Sequence, residues 1–263
     1  MGRFDGKVAI VTGGASGIGA ATLRRLAADG AAVVCADIND AAGEQTVAEI
    51  AARGGRALYR HCDVGVLAEL EATVAVAVER FGGLDIMHNN AMWSGGGWIH
   101  ELDPAIWQQS LRIMLDAVFF GCRAAIPAML ARGGGAIVNT ASIEAFGGEM
   151  LASPYATAKA GVVNFTRNVA IEYGRKGIRA NAICPGIVQT PLFELMCMFA
   201  KRTRDEMANL SAVGRILDAE EIANVVAFLC SNEASAITGA AIVADGGLTS
   251  FLNLSGHAPY EGT

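Results

Sequence analysis

A glycine-rich turn near the N-terminus, TGGASGIG, lies between a strand pattern and a helix pattern. The run before it, KVAIVT, is short and rich in β-branched residues, as in strands buried in a parallel sheet. The run after it, ATLRRLAADG, is typical of a helix that ends at Gly30. A second apolar run then ends at Asp37. This order of strand, helix and strand predicts a βαβ unit.

Gly13, Gly17 and Gly19 have the spacing G-x-x-x-G-x-G within this turn. Glycine lets the backbone turn sharply and approach a ligand, and the amides at a helix start stabilise a pyrophosphate. A tight turn without a ligand is the alternative, but the position between strand and helix favours a dinucleotide site.

Asp37 ends the second strand pattern, eighteen residues beyond Gly19. A carboxylate there would bind the ribose hydroxyls of an adenosine and repel a 2′-phosphate. No Arg or Lys lies in the turn or just after Asp37 to neutralise such a phosphate. The sequence therefore predicts NAD rather than NADP as cofactor, a surface aspartate at a strand end being the alternative.

Strand patterns recur along the whole chain and mostly alternate with helical patterns. They lie at 7–12, 31–37, 56–62, 84–89, 134–141, 178–184 and 240–244. Hydrophobic residues make up 52% of the chain and charged residues 17%, which suits a sheet covered on both faces. We therefore expect an α/β fold: one domain over residues 1–263, with a Rossmann-type, doubly wound parallel sheet of about seven strands and helices on both faces.

Tyr155 and Lys159 stand four residues apart in the helical pattern SPYATAK, thirteen residues after Ser142. Positions four apart share one face of a helix. A cation held beside a phenol favours the phenolate and lowers the phenol's pKa, which would make Tyr155 a proton acceptor. Ser142 follows a buried strand pattern and could hold a substrate oxygen. Such a pair also arises by chance, but its combination with the glycine turn favours catalysis.

Together these motifs resemble the classical short-chain dehydrogenase/reductase family, from Lys7 to about Gly247. The matching stretches are TGGASGIG, CDV around Asp63, HNNA, Ser142 with YATAK, NAICPGIVQTP and VADGG. The resemblance implies an NAD-dependent alcohol dehydrogenase or ketoreductase that transfers a hydride between a secondary alcohol and nicotinamide.

The resemblance also implies a role for each matching residue. Ser142 would bind the substrate oxygen, Tyr155 would be the general acid and base, and Lys159 would lower the pKa of Tyr155 and hold the nicotinamide ribose. The implied cofactor contacts are Gly13, Ser16, Gly17, Ile18, Gly19, Asp37, Asp63, Val64, Asn90, Tyr155, Lys159, Pro185, Gly186, Val188 and Thr190.

Two residues depart from the family pattern. Met92 replaces the glycine of NNAG, and Met114 replaces the asparagine of W-x-x-x-x-x-x-N, which begins here at Trp107. In relatives that asparagine is thought to bind a water that links the lysine to solvent, which a thioether does not do. Three interpretations of Met114 are open. Water reaches Lys159 by another route, helped by Ser110, or turnover is slow or limited to one direction. In the third interpretation, the protein is a dinucleotide-binding sensor or scaffold with impaired catalysis.

Two variable stretches begin beside the cofactor residues. One follows Met92, and the other is a predicted lid at about residues 192–216. Their apolar side chains predict a pocket for a hydrophobic or cyclic secondary alcohol, formed by Met92, Trp93, Trp98, Phe193 and Met196. Alternatively, these side chains pack the lid or a subunit contact.

Other classes of function lack support in the sequence. The formal charge is −6 and the basic residues form no stripe, which argues against a nucleic-acid partner. There is no uninterrupted apolar run of eighteen residues, and the N-terminal residues already belong to the first strand pattern, so we expect no membrane span, no signal peptide and a cytoplasmic location. The six cysteines and four histidines are scattered, which predicts reduced thiols and no metal site.

Two helical patterns, at 103–133 and 153–177, are more apolar than contact with the sheet requires. Phe119, Phe120, Val163, Phe165 and Val169 supply this excess. We therefore expect a homo-oligomer, a dimer or tetramer, formed through these helices, as in relatives of the family.

Overall fold

The computed structural model describes residues 2–93, 95–200 and 202–250. Within these residues, seven strands form one sheet in the order β3-β2-β1-β4-β5-β6-β7, and every neighbouring pair is parallel. The strands are β1 Val8–Thr12, β2 Ala32–Asp37, β3 Arg56–His61, β4 Ile86–Asn89, β5 Gly135–Thr140, β6 Ile178–Pro185 and β7 Ala241–Ala244. The predicted parallel sheet is confirmed, and each strand lies within two residues of its predicted bounds.

Helices cover both faces of the sheet, as predicted. They are α1 Gly17–Ala28, α2 Asp40–Ala52, α3 Leu67–Phe81, α4 Pro104–Leu111, α5 Ala117–Ala131, α6 Ser153–Tyr173, α7 Pro191–Ala200, α8 Arg204–Ala208 and α9 Ala219–Cys230. Alternate residues of β1 enter two separate cores: Val8 and Ile10 pack with α3, α5 and α6, whereas Ala9 and Val11 pack with α1, α2 and α9. This alternation follows from the two-residue period of a strand.

The strand order reverses at β1, which pairs with β2 on one side and with β4 on the other. In doubly wound sheets the crevice at this reversal, at the carboxyl ends of the strands, is the usual ligand site. Here β1, β2, β4 and β5 end at Thr12, Asp37, Asn89 and Thr140. The glycine turn, Asp37, Asn90 and Ser142 therefore gather at one edge of the sheet.

The helix predicted at 103–133 changes its hydrogen-bonding pattern partway along its length. A π-helical turn, Arg112–Asp116, separates α4 from α5, and it contains Met114. The sequence has no glycine or proline at this point that would have predicted the change.

The whole segment Pro104–Ala131 is long and apolar enough to cross a membrane by length and composition alone. More than half of its most apolar window is buried inside the fold. Gly121, Cys122, Ala125 and Met129 lie on its buried side, where α5 packs against α3, β4 and β5. These contacts are those of a core helix.

A buried chain of amides fixes α6 to the sheet. Asn89 donates to the Oδ1 of Asn139 at 2.8 Å, and the amide of Asn139 donates to the Oγ1 of Thr166 on α6 at 2.9 Å. Buried hydrogen bonds of this kind specify one position of the helix, because any shift would leave a polar group unpaired. The register of α6, and with it the placement of Tyr155 and Lys159, is set by these contacts.

Candidate active site

The glycine turn has the geometry of a binding loop for an anion. Gly13 and Gly17 have φ angles of +62° and +51°, in the left-handed region that favours glycine. A Cβ on Gly19 would lie 2.0 Å from the carbonyl oxygen of Gly13, so no side chain fits there. Helix α1 begins at Gly17, and the hydroxyl of its N-cap, Ser16, makes no capping bond.

The first amides of α1, including those of Ile18 and Gly19, have no partner further back in the helix. Together with the helix dipole they favour a negatively charged group. A bound dinucleotide therefore fits these residues: its pyrophosphate would lie at the start of α1, close to backbone that carries no side chains.

Asp37 is held at the rim of this loop. Its two carboxylate oxygens accept the backbone N–H groups of Ala15, at 3.0 Å, and Asn39, at 2.9 Å. Each carboxylate oxygen can accept a further hydrogen bond, so the group remains able to receive ribose hydroxyls. Its role in choosing the cofactor stays a prediction.

The predicted adenine-side residues, Asp63 and Val64, follow β3. The carboxylate of Asp63 accepts the N–H of Gly65 at 2.8 Å and faces the guanidinium of Arg112 at 3.3 Å. Val64 is buried in the core beneath. Arg112, in the π-helical turn, therefore ties this corner of the site to the helix that contains Met114.

Asn90 braces two strands. Its amide donates to the carbonyl of Thr12 at 3.2 Å, and its Oδ1 accepts the hydroxyl of Thr140 at the same distance. In this structure the side chain positions the ends of β1 and β5. A direct contact between Asn90 and the cofactor stays a prediction.

The segment after β6 forms the opposite wall of the cleft. Pro185 ends the strand, and a Cβ on Gly186 would lie 2.7 Å from the Cβ of Asp245. Val188 pairs with Leu217 in an isolated bridge, and the methyl group of Thr190 would meet a Cβ on Gly17 at 3.1 Å. The glycine turn and this segment thus face each other, as the resemblance implies.

The three predicted catalytic residues are brought together. Ser142 follows β5 by two residues, and Tyr155 and Lys159 lie on the first turns of α6. The Nζ of Lys159 is 5.5 Å from the centre of the Tyr155 ring and donates to the carbonyl of Thr140 at 2.7 Å. Lys159 is only 2% exposed. The predicted shared helix face of Tyr155 and Lys159 is confirmed.

The expected lowering of the pKa of Tyr155 by Lys159 stays a prediction. Burial raises the pKa of Tyr155 to about 12, although a hydrogen bond from Ser142 opposes the rise. Burial also lowers the pKa of Lys159 to about 8, so the ammonium form still predominates at pH 7. The spacing of the two residues predicted their contact, whereas the rise in the pKa of Tyr155 follows first from its loss of solvent.

Met114 and Ser110 both lie in the interior. Met114 is 0% exposed, within the π-helical turn. The hydroxyl of Ser110 is also buried and donates to the carbonyl of Ile106, one turn back in α4, at 2.8 Å. Its only proton is therefore engaged within its own helix, so the structure does not favour the hypothesis that Ser110 helps water to reach Lys159.

The predicted substrate residues differ in how far they are exposed. Trp93 and Trp98 are 41% and 53% exposed, whereas Met92 is half-buried. Phe193 is buried against Met207 and Ile216, within the predicted lid. Phe193 thus packs inside the lid, which is the alternative that the sequence left open. A contact of Phe193 with the substrate stays a prediction. The side chain of Met196 lies outside the described residues.

The loop between β5 and α6 contacts the loop between β4 and α4, which contains Trp93 and Trp98. The N–H of Gly97 donates to the carbonyl of Leu151 at 2.9 Å. Met150 and Leu151 are exposed apolar residues beside the exposed tryptophans of the other loop. An apolar rim therefore extends over both loops.

Two residues near the site were not predicted from the sequence. The carbonyl of Thr140 accepts a hydrogen bond from the ammonium of Lys159, and its hydroxyl donates to the Oδ1 of Asn90. Glu144 follows Ser142 by two residues, and its backbone N–H donates to the Oγ of Ser142 at 3.1 Å. An acidic residue two positions after a predicted catalytic serine was the available signal for Glu144. Among the residues that the structure describes, no three His, Cys, Asp or Glu side chains form a possible metal site.

Comparison with known proteins agrees with this geometry. A family model described as "Enoyl-(Acyl carrier protein) reductase" matches residues 13–249. The chain is 42% identical over 249 residues to a cyclohexanol dehydrogenase from Acinetobacter sp. (strain SE19), covering 94% of this chain and 97% of that protein. The chain belongs to the short-chain dehydrogenase/reductase family.

Two solved structures are similar over nearly their whole length. Levodione reductase has a TM-score of 0.91 and 36% identity, covering 95% of this chain and 100% of that one. A variant of actinorhodin polyketide ketoreductase, solved with NADPH, has a TM-score of 0.89 and 36% identity, covering 93% and 98%. The chain is thus an oxidoreductase of a family that acts on alcohols and binds a nicotinamide dinucleotide.

Proposed function

We propose that this protein is an NAD-dependent dehydrogenase that transfers a hydride between a secondary alcohol and nicotinamide. The observation that carries the proposal is the meeting of Ser142, Tyr155 and Lys159 at the end of β5, on the same edge of the sheet as the glycine turn. A proton-transferring group beside a dinucleotide site is what alcohol oxidation requires.

Each of the three residues has a distinct task in this proposal. Ser142 donates a hydrogen bond to the substrate oxygen, and Tyr155 exchanges a proton with that oxygen. Because the pKa of Tyr155 is raised to about 12, the phenol holds its proton at neutral pH and is ready to protonate a ketone. Lys159 uses one of its three protons on the carbonyl of Thr140, which leaves two for the hydroxyls of the nicotinamide ribose.

The cofactor, when bound, supplies the carbon that accepts or gives the hydride, and in its oxidised form a positive charge. A positive charge beside Tyr155 would favour the phenolate that alcohol oxidation needs. NAD is the proposed cofactor rather than NADP, because the fixed carboxylate of Asp37 would repel a 2′-phosphate.

The proposed substrates are hydrophobic or cyclic secondary alcohols. The apolar rim of Trp93, Trp98, Met150 and Leu151 favours such substrates over sugars or charged alcohols. The name of the cyclohexanol dehydrogenase, a relative at 42% identity, points to the same class.

The proposal can be tested with a panel of alicyclic, aromatic, steroid and sugar alcohols, each offered with NAD and with NADP. We expect oxidation of apolar ring alcohols, with a kcat/KM at least about tenfold higher with NAD than with NADP, a difference of about 1.4 kcal/mol. Preference for NADP would contradict the role of Asp37. The alternative, a sensor or scaffold, which the buried Met114 motivates, would bind NADH tightly but oxidise no member of the panel.

We also propose that the protein forms a dimer or tetramer through α5 and α6. Phe119 is 45% exposed on α5, and its ring stacks edge-on against that of Phe165 on α6, 6.0 Å between centres. An exposed aromatic cluster spanning two helices is typical of a subunit contact. Sedimentation that gives the mass of a single chain at micromolar concentration would contradict the assembly.

A further inference from the structure

Tyr155 is half-buried, and a proton that it takes from an alcohol has to reach bulk water past the bound substrate and cofactor. Lys159 is almost fully buried, and Met114 and Ser110 are buried beside the same helix. Met114 has no proton to give, and the single hydroxyl proton of Ser110 is bonded to the carbonyl of Ile106. These side chains beside Lys159 thus offer no group to carry a proton onward, and another group has to do so.

Glu144 is placed to serve this route. It lies in the 3-10 turn Ile143–Ala145 directly after Ser142, and its N–H donates to the Oγ of Ser142. Its Oε2 is buried and has no hydrogen-bond partner among the residues that the structure describes. The residue as a whole is only half-buried, and the chain after it is exposed from Phe146 to Leu151. The carboxyl group thus lies between the interior of the site and the surface.

The charges around Glu144 connect it to the catalytic pair. Its charge acts on Tyr155 and on Lys159, both on α6, while Glu149 and Lys159 act on Glu144. Burial and the neighbouring Glu149 raise the pKa of Glu144 to about 7, although Lys159 opposes the rise. A carboxyl group with this pKa both accepts and releases a proton near neutral pH.

Other titratable groups near the pair are less suited to the task. Cys184 acts on both Tyr155 and Lys159, but burial raises the pKa of its thiol to about 11. His88 is fully buried, and burial, followed by the charge of Lys159, lowers its pKa to about 3. Neither changes its protonation state near pH 7.

We propose that Glu144 relays the proton between Tyr155 and solvent, an inference that rests on the proposed function. In alcohol oxidation the hydroxyl proton of the substrate passes to the phenolate of Tyr155, and the hydride passes to the oxidised dinucleotide. The phenol proton then moves, through a bridging water molecule, to the ionised carboxylate of Glu144, which releases it to bulk water. Each alcohol oxidised yields one ketone, one reduced dinucleotide and one free proton.

The relay predicts a specific pH dependence. Oxidation needs the ionised carboxylate as acceptor, so kcat for oxidation should rise as the pH increases through about 7, the pKa of Glu144. Ketone reduction needs the protonated form, so kcat for reduction should fall over the same range. In Glu144→Gln, which keeps the size but carries no proton, the change of slope near pH 7 should disappear in both directions.

The experiment compares the wild type with Glu144→Gln and Glu144→Asp, using NAD and the best alcohol of the panel. We expect Glu144→Gln to lower kcat for oxidation at pH 8 about tenfold or more, within the range of proton-transfer effects. Acetate, a small carboxylate, should restore part of this rate in the glutamine variant. Glu144→Asp should keep most of the activity, and the dissociation constant of NADH, measured by fluorescence, should be unchanged in all three proteins.

Two outcomes would overturn the relay while the wild type is active. One is a glutamine variant with the same kcat and pH profile as wild type. The other is a loss of activity that leaves the slope near pH 7 in place and that neither acetate nor aspartate restores, because that would be a structural role. A wild type that binds NADH but oxidises no alcohol would overturn the proposed function, and the relay with it.

Discussion

Replacement of Tyr155 by phenylalanine should lower kcat for alcohol oxidation by about 10²- to 10⁴-fold, the range of general acid–base contributions. The variant keeps the aromatic ring against which the ammonium of Lys159 lies at 5.5 Å, so α6 should remain in place. It loses only the hydroxyl that exchanges the proton. We therefore expect NADH to bind with unchanged affinity, as measured by fluorescence titration beside steady-state kinetics.

Tyr173→Phe is a matched control for this variant. Tyr173 lies at the other end of α6, and it too has a lysine ammonium over its ring, that of Lys176 at 5.0 Å from the ring centre. The same chemical change at this distance from the cleft should leave kcat within about twofold of wild type. Substantial activity in Tyr155→Phe would remove the tyrosine from its proposed role.

Substitution of Gly19 by alanine should impair both stability and dinucleotide binding. The added Cβ would lie 2.0 Å from the carbonyl oxygen of Gly13, and both groups belong to backbone that is fixed between β1 and α1. Relief of this overlap has to distort the turn, at a cost of about 1–3 kcal/mol, as for overpacked interiors. We expect a lower midpoint of thermal unfolding and an affinity for NADH reduced about tenfold or more.

Gly174→Ala separates this effect from the general cost of replacing a glycine. Gly174 is exposed, has φ −57° and ψ −42°, and would place its Cβ in open space. Alanine fits this conformation and restricts the unfolded chain, so stability should rise by about 0.4–1 kcal/mol with NADH affinity unchanged. If Gly19→Ala bound NADH as tightly as Gly174→Ala, the turn would not be the pyrophosphate site.

The fold was largely predictable because its signals are local. Short strand patterns separated by mostly helical patterns predicted all seven strands, and the parallel order follows from the helical patterns between them. The positions of Gly13, Asp37 and Ser142 followed in turn, because residues after parallel strands share one edge. These predictions needed only the periodicity of apolar residues and the rule that ligands bind at the carboxyl ends of parallel strands.

Properties that depend on burial were not predictable from spacing. The four-residue interval between Tyr155 and Lys159 fixes their contact on α6, but not the loss of solvent that raises the pKa of Tyr155. An apolar residue such as Phe193 suits either a substrate pocket or packing within the lid, and only the fold places it against Met207 in the lid. The chemistry of Glu144 has the same origin, because its raised pKa arises from burial and from the nearby Glu149.

The π-helical turn Arg112–Asp116 makes the chain tolerant of a change in length at this point. Such a turn accommodates one residue more than an α-helix over the same length. Deletion of a single residue there would restore regular winding, while α4 and α5 kept the faces that they present to the rest of the fold. Ser142, Tyr155 and Lys159 would stay in place on β5 and α6. A lineage can thus gain or lose one codon at this point of the gene without altering the reacting groups.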